Sequence, residues 1–453
     1  MTATDQPIKF LAVDDRWIAE TACIRRRIHP PRIHPQPVLT VDRPWEALGV
    51  LLYGTVHREA SDGTLRMWYL AIDADDHPRL CYATSSNGVD WQKPDLGLCE
   101  FGDSTANNIV FDPPGRMDSA NIIIDSDDST APYKLVCHLL TDGKEELWGA
   151  VSSDGLTWEM QPEPIGNGFS DRQQVMTFPD NGEFVILCRA PEMFDTYGER
   201  AVYRMTSRDF KTWSAPELVF KSALDDPPHM ECYSMTGFRW ASVYLGVWER
   251  MHVAPDVVDC ELVVSHDGQK WQRIQPRTTF LELGPPGSWY SDWICTSSNP
   301  PIARDGVLWW FLSGRTGCHD ESPPLNLRAI GVATSRIDGF ASLMATEQGG
   351  WIRTRVFAWS GGELAINADA RRCMSMDPRF FSGSIRVEVL DEAGVPTAGF
   401  TRDDCEPFTD DTKGECREVK WRGGKRLAEL AGCSISFVFI LESANLYAFE
   451  FMK

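Results

Sequence analysis

A short turn recurs along this chain at a spacing too long for a run of hairpins and too short for separate domains. It reads TSSNGVDW at 84–91, VSSDGLTW at 151–158, TSRDFKTW at 206–213 and VSHDGQKW at 264–271, with a degenerate fifth copy, TSRIDGF, at 334–340. The closing tryptophans, Trp91, Trp158, Trp213 and Trp271, lie 55 to 67 residues apart. A fixed period of that length signals a repeat architecture in which each unit is one supersecondary element. Two short runs of β-branched and aromatic residues precede each turn, as in YKLVCHLL with LWGAVSS and VLWWFLS with AIGVATS. Gly, Asp, Pro and Asn gather between them, which marks the runs as strands. One more strand before the pair and one after the turn make a four-stranded antiparallel sheet per unit. Five such sheets around an axis make a five-bladed β-propeller. In the turn itself, Asp or Asn caps backbone N–H groups, Gly takes a conformation that other residues resist, and Trp wedges between layers.

Residues 351–453 have another texture. They carry no Trp turn, and runs such as SIRVEVLDE, SISFVFILES and NLYAFEF alternate as strands of a β-sandwich do. The expected organisation is therefore all-β, with a propeller over 1–350 and a C-terminal β-sandwich over 351–453. The formal charge is −21 over 453 residues, which repels phosphate backbones and anionic lipid, so neither nucleic acid nor a membrane surface is an expected partner. Seventeen Trp suit a protein that offers flat rings to sugars. The first residues lack a basic stretch followed by an apolar one, and no apolar run reaches 18 residues. The 13 cysteines are scattered without a CxxC, several inside apolar runs (Cys81, Cys137, Cys188), as buried thiols of a cytoplasmic protein would be. No cofactor motif and no metal-ligand spacing occurs, so neither a cofactor nor an obligate metal is expected.

The turns also serve as a ruler. At the phase where the innermost strand of each sheet begins, the chain places a carboxylate: Glu46, Asp118, Asp171, Glu231 and Asp292. In a propeller those strand starts converge on one mouth of the central channel. Five acids there would repel one another, raising the pKa of some, as general acid catalysis needs. Trp45, Trp289 and Trp293 flank the acids and are candidates for stacking on a sugar. Arg172 is a candidate for gripping a hydroxyl or a carboxylate, or for pairing with Asp171. His319, after a strand of the fifth unit, is a candidate to reach the channel.

The Ser/Asp-Gly…Trp turn resembles the Asp-box of sialidases, where it is structural. Five units with acids at the mouth resemble the propeller glycosidases of glycoside hydrolase family 32 (invertase and levanase type) and family 43 (arabinanase and xylosidase type). The phrases YATSSNGVDWQKPDLGL, NNIV, SDRQ and GSIRVEVLDEAGVPTAGF are similar to a set of bacterial family-32-like glycosyl hydrolases. The resemblance implies a glycosidase, in which Glu46 (or Asp42) is nucleophile or base, Asp171 the charge stabiliser and Glu231 the acid. It also implies a furanoside substrate, fructo- or arabinofuranoside. Glu231-Cys232 matches the Glu-Cys pair of the invertase type, but the Trp-Met-Asn-Asp-Pro-Asn-Gly and Arg-Asp-Pro boxes are absent, so no fructan specificity carries over. Two other readings share the fold. A glycoside phosphorylase needs a cationic pocket facing the acid, and a non-catalytic sugar-binding propeller needs no chemistry at all.

Overall fold

The computed structural model describes residues 9–178, 181–189, 200–318, 327–371 and 383–452. Five antiparallel units follow one another between Arg32 and Arg336, the fourth and fifth linked into one ten-stranded sheet by a parallel pairing of Val258 with Trp293. The first is built from Gly49–Arg58, Leu65–Ile72, Pro78–Ser85 and Ile109–Phe111. The second opens with Arg116–Ile124, the third with Gln174–Phe178, the fourth with Met230–Trp240 and the fifth with Trp293–Thr296.

The strands read as nearly unbroken apolar runs because each sheet is covered on both faces by its neighbours. Alternation survives inside the run and sorts residues to left and right. In Leu65–Ile72, Trp68 and Leu70 pack toward the second sheet with Met117 and Leu135. Met67 and Tyr69 pack the other way, toward Phe311 and Ile330 of the fifth. Further cores join the second sheet to the third, the third to the fourth, and the fourth to the fifth. The ring thus closes on itself, in the manner of a propeller.

The recurring turns sit where the ruler placed them, between third and fourth strands. Ser85, Ser152 and Ser265 accept a hydrogen bond from the N–H of Gly88, Gly155 and Gly268 at 2.8–2.9 Å. Asn87, Asp154, Asp209 and Asp267 each accept two further backbone N–H groups. The glycines have φ between 68° and 80°, and Phe210 takes the same left-handed position at 61°. The fifth copy is degenerate because the chain leaves the ring there. The missing fourth strand of the last sheet is supplied from the other end of the chain, where Arg32–Ile33 pairs with Arg328–Arg336.

Two further sheets lie face to face. One contains Ala341–Ala345, Glu363–Asp369 and Ala444–Met452, the other Gly350–Thr354, Ser384–Leu390 and Ser434–Glu442. Phe439 and Phe449 meet between them at 5.2 Å. Strand pairing draws the division differently from a cut at 350. Lys9–Leu11 and Arg25–Ile28 join the first of these sheets and Ile18–Ala22 the second, so residues 9–28 belong with the C-terminal strands. Those early strands (KFL, IAETA, RRRI) are short, bury few of their residues and lack the turn, so nothing local marked them. One core runs from the fourth and fifth ring sheets into the pair, and Trp240 Nε1 donates to Asp338 at 2.8 Å across the junction.

Candidate active site at the mouth of the ring

Three of the five innermost strands are interrupted by a bulge, and each bulge turns one side chain into the channel. In the first sheet, Leu51 pairs with Leu70 and Thr55 with Trp68, so Leu52–Gly54 face Tyr69 alone. In the second, Asp118 is the residue left over between Met117 and Ser119. In the fourth, Tyr233 is left over between Cys232 and Ser234. A bulge re-aims a side chain that regular pairing would fix on a sheet face. The first one needs glycine, since a Cβ on Gly54 would lie 2.1 Å from the Trp68 carbonyl oxygen. Tyr53 and Tyr233 meet across the channel with hydroxyls 3.1 Å apart. Burial raises the pKa of both, so the hydroxyls keep their protons as donors.

Above this pair lies a cavity of about 270 Å³. The first sheet gives it an apolar wall of Leu51, Leu70, Ile72 and Pro78, while Asp118 and Asp171 face it from the second and third sheets. Ser119 Oγ ties the two acids together by donating to the Asp171 carbonyl oxygen at 2.5 Å. The expected crowd of mutually repelling acids is not what forms. Arginines alternate with the carboxylates: Asp171 is in contact with Arg189, Glu231 with Arg200, and Asp118 lies 3.3 Å from Arg116. Arg116 is shared, because its Nη1 also reaches Asp76 at 2.7 Å. His138 Nδ1 stands 3.9 Å from Asp118. Burial lowers its pKa, which leaves the ring neutral at pH 7.

The sequence candidates separate sharply. Asp118 and Asp171 line the cavity. Glu231 and Asp292 begin their strands at the same end of the ring, and Asp292 is tied down by Ser291 Oγ at 2.5 Å and the Gly317 N–H at 2.9 Å. Glu46 is a correction. It is fully buried on the face of the first sheet that turns toward the fifth, where its carboxylate accepts from Tyr69 at 2.7 Å, Lys93 at 2.7 Å and the Asp42 N–H at 3.0 Å. Neither it nor Asp42, which pairs with Lys93 at 2.6 Å, borders the cavity. Trp45 is buried beside Glu46 and donates to Asn108 at 2.9 Å. Trp289 is buried over Gly314 and Gly331, where a Cβ on either would collide with its ring.

Trp293 lies buried beneath the mouth, edge-on to Tyr233 at 4.8 Å, with the Arg315 guanidinium 4.3 Å from its ring centre. It supports the site from below and does not face the cavity. Arg172 is buried in the channel, paired with the equally buried Glu249 at 2.6 Å, not with Asp171. Burial alone would lower its pKa, but the Glu249 charge holds it above the ordinary value. Its guanidinium, 4.4 Å from the Tyr53 ring centre, props that residue. His319 lies outside the described residues.

The sequence reading missed Tyr53, Tyr233, Arg116, Arg200 and Arg328. Arg189 directly follows the second strand of its sheet and Arg315 ends the second strand of its own, at the same end of the ring as the acids. A second cavity of about 330 Å³ opens at the opposite end of the channel, beside Thr55, His57, Gln174 and Asn299. Among the described residues, no three His, Cys, Asp or Glu side chains come together as a metal set, no disulfide forms, and no helix is long and apolar enough to cross a membrane.

No protein-family model matches the chain, and no curated protein matches it. Solved structures do. A protein described as a glycoside hydrolase is 15% identical, with 68% of this chain and 92% of that one covered and a TM-score of 0.50. An N-acetylgalactosamine deacetylase from F. plautii, solved with blood group B trisaccharide, is also 15% identical, with 70% and 96% covered and a TM-score of 0.51. A thermostable family-43 glycoside hydrolase overlaps more loosely, at 16% identity, 64% and 91% coverage and a TM-score of 0.43. At such identities the likeness is one of fold alone, and it does not single out family 32. One fold hosting a glycoside hydrolase and a deacetylase leaves the chemistry to the site.

Proposed function

We propose that this chain cleaves a glycosidic bond at the mouth of its ring. The observation that carries the reading is that Asp118 and Asp171, joined through Ser119, face one partly enclosed cavity. Glycoside cleavage is done by carboxyl groups flanking the scissile bond. Asp118 takes the place expected for Glu46. Because it shares its arginine with Asp76 and its other neighbour is a neutral imidazole, it is less neutralised than Asp171 or Glu231 and moves the proton. Asp171, matched by Arg189, faces the positive charge that develops on the sugar ring. Glu231, expected as the acid, is clasped by Arg200 at the rim and serves as the third carboxylate. The apolar wall of the first sheet and the Tyr53–Tyr233 pair bind the sugar face and a hydroxyl. The furanoside preference is part of this reading.

The test is release of nitrophenol or reducing sugar from a panel of aryl furanosides, aryl pyranosides and fructans. Wild type should turn over at least one member, while Asp171→Asn and Glu231→Gln retain a small fraction of that activity or none. No turnover of any member, with sugar binding intact by calorimetry, would replace the enzyme with a sugar-binding propeller.

A further inference from the structure

Among the described residues, three arginines and two carboxylates, Asp118 and Asp171, line the cavity. Arg116, Arg315 and Arg328 all line it. Arg315 and Arg328 are direct cross-strand partners on neighbouring strands of the fifth sheet, a placement that costs stability when the charges are alike. Among the described residues, no hydrogen bond or ion pair reaches the Arg328 guanidinium, and its Nε is buried. The position is built rather than incidental. The Arg328 stem crosses the first sheet at Gly49, where a Cβ would come within 2.8–2.9 Å of its Cδ and Cβ atoms. Burial lowers the pKa of Arg328, and the charges of Arg315 and Arg116 lower it further. A chain of net charge −21 thus gathers three guanidiniums in one half-closed space and, among the described residues, leaves that of Arg328 without an anion.

We infer that Arg116, Arg315 and Arg328 bind an oxyanion beside Asp118 and Asp171. Planar guanidinium forks are suited to such a group and grip it through paired N–H donors. Two sources share this chemistry, the carboxylate of an acidic sugar residue and free inorganic phosphate. The anion site stands on the arginines alone. Its use in turnover rests on the glycosidic reading above.

The experiment is calorimetric titration of the full chain with inorganic phosphate and, separately, with glucuronate, followed by aryl glucuronides and neutral aryl glycosides with and without phosphate. Wild type should bind at least one of the two anions saturably. Arg328→Gln should weaken that binding at least tenfold, Arg328→Lys should weaken it less, and Arg208→Gln, an exposed arginine far from the mouth, should leave it unchanged. Binding of glucuronate with turnover of glucuronides identifies an acidic sugar. Binding of phosphate with turnover that requires it identifies phosphate as the co-substrate. Failure of both anions to bind wild type, or equal binding by a folded Arg328→Gln, overturns the inference. Neutral glycosides turned over in that case would leave the catalytic reading standing. Anion binding without turnover of any glycoside would sink the catalytic reading instead.

Discussion

The turns at the outside of the ring and the bulges at its mouth teach opposite lessons. The four turns are near-copies, and each does the same work with a Ser hydroxyl, an Asp or Asn carbonyl and, in three of the four, a left-handed glycine. At the mouth no two sheets are alike. The first presents an apolar wall and a bulged Tyr53, the second a bulged Asp118, the third Asp171 against Arg189, the fourth a bulged Tyr233, and the fifth two opposed arginines. Repetition marks what closes the ring, and departure from it marks where the ring meets a ligand. Glu46 shows the distinction well. It keeps the period of the mouth acids, yet it is enclosed by Lys93 and Tyr69 and works as a buried anchor.

Substitutions can break this contrast from either side. The largest effect belongs to the mouth: Asp171→Asn should lower kcat/KM by roughly 10²–10⁴, the range for a positioned acid–base or charge-stabilising group, with the melting temperature near that of wild type. Glu46→Gln should do the reverse. Leaving Lys93 short of a buried partner should cost roughly 3 kcal/mol of stability, read as a lower melting temperature, with turnover unchanged. Gly155→Ala puts a side chain at φ 75° within 2.8 Å of the Trp68 ring. It should cost about 1–3 kcal/mol by urea unfolding, again without a catalytic defect. Tyr53→Phe removes one hydroxyl of the 3.1 Å pair and should cost about 1 kcal/mol, visible as a small fall in kcat/KM.

The smallest effect is electrostatic. Backbone N–H groups of Thr212 and Lys211 hold the exposed Asp209 carboxyl at about 2, down from its ordinary value of 3.8. A pKa depressed in the folded state means that its contribution is complete above the unfolded value and fades as pH falls toward 2. Carboxyl NMR should show Asp209 titrating near pH 2, and a midpoint near 4 would mean that the turn does not hold it.

Much of the fold was legible because the turn has a fixed length and chemistry. Once its period is seen, strand count and order within each unit follow. The N-terminal strands were not legible, since their partners lie more than 300 residues away and the strands are short and bury few of their residues. The site was half legible for a similar reason. Asp118, Asp171, Glu231 and Asp292 could be found by phase, because each lies at or just before the start of an innermost strand. Phase alone could not tell that Glu46, unlike Asp171, turns away from the cavity, although both lie three residues before their strands begin. Nor could it show that bulges would deliver Tyr53 and Tyr233, since a bulge depends on pairing with a neighbour. Arg328 opens a third strand, and its place at the mouth became visible only with the strand register.

The most direct test of the central claim is to locate a bound sugar, because the channel has two openings. Crystals soaked separately in fructose, arabinose and glucuronic acid should show the sugar over the Tyr53–Tyr233 pair, within hydrogen-bonding reach of Asp118 or Asp171. A sugar seated instead at the opposite opening, beside His57, Gln174 and Asn299, would contradict the account and move the site to the other end of the ring.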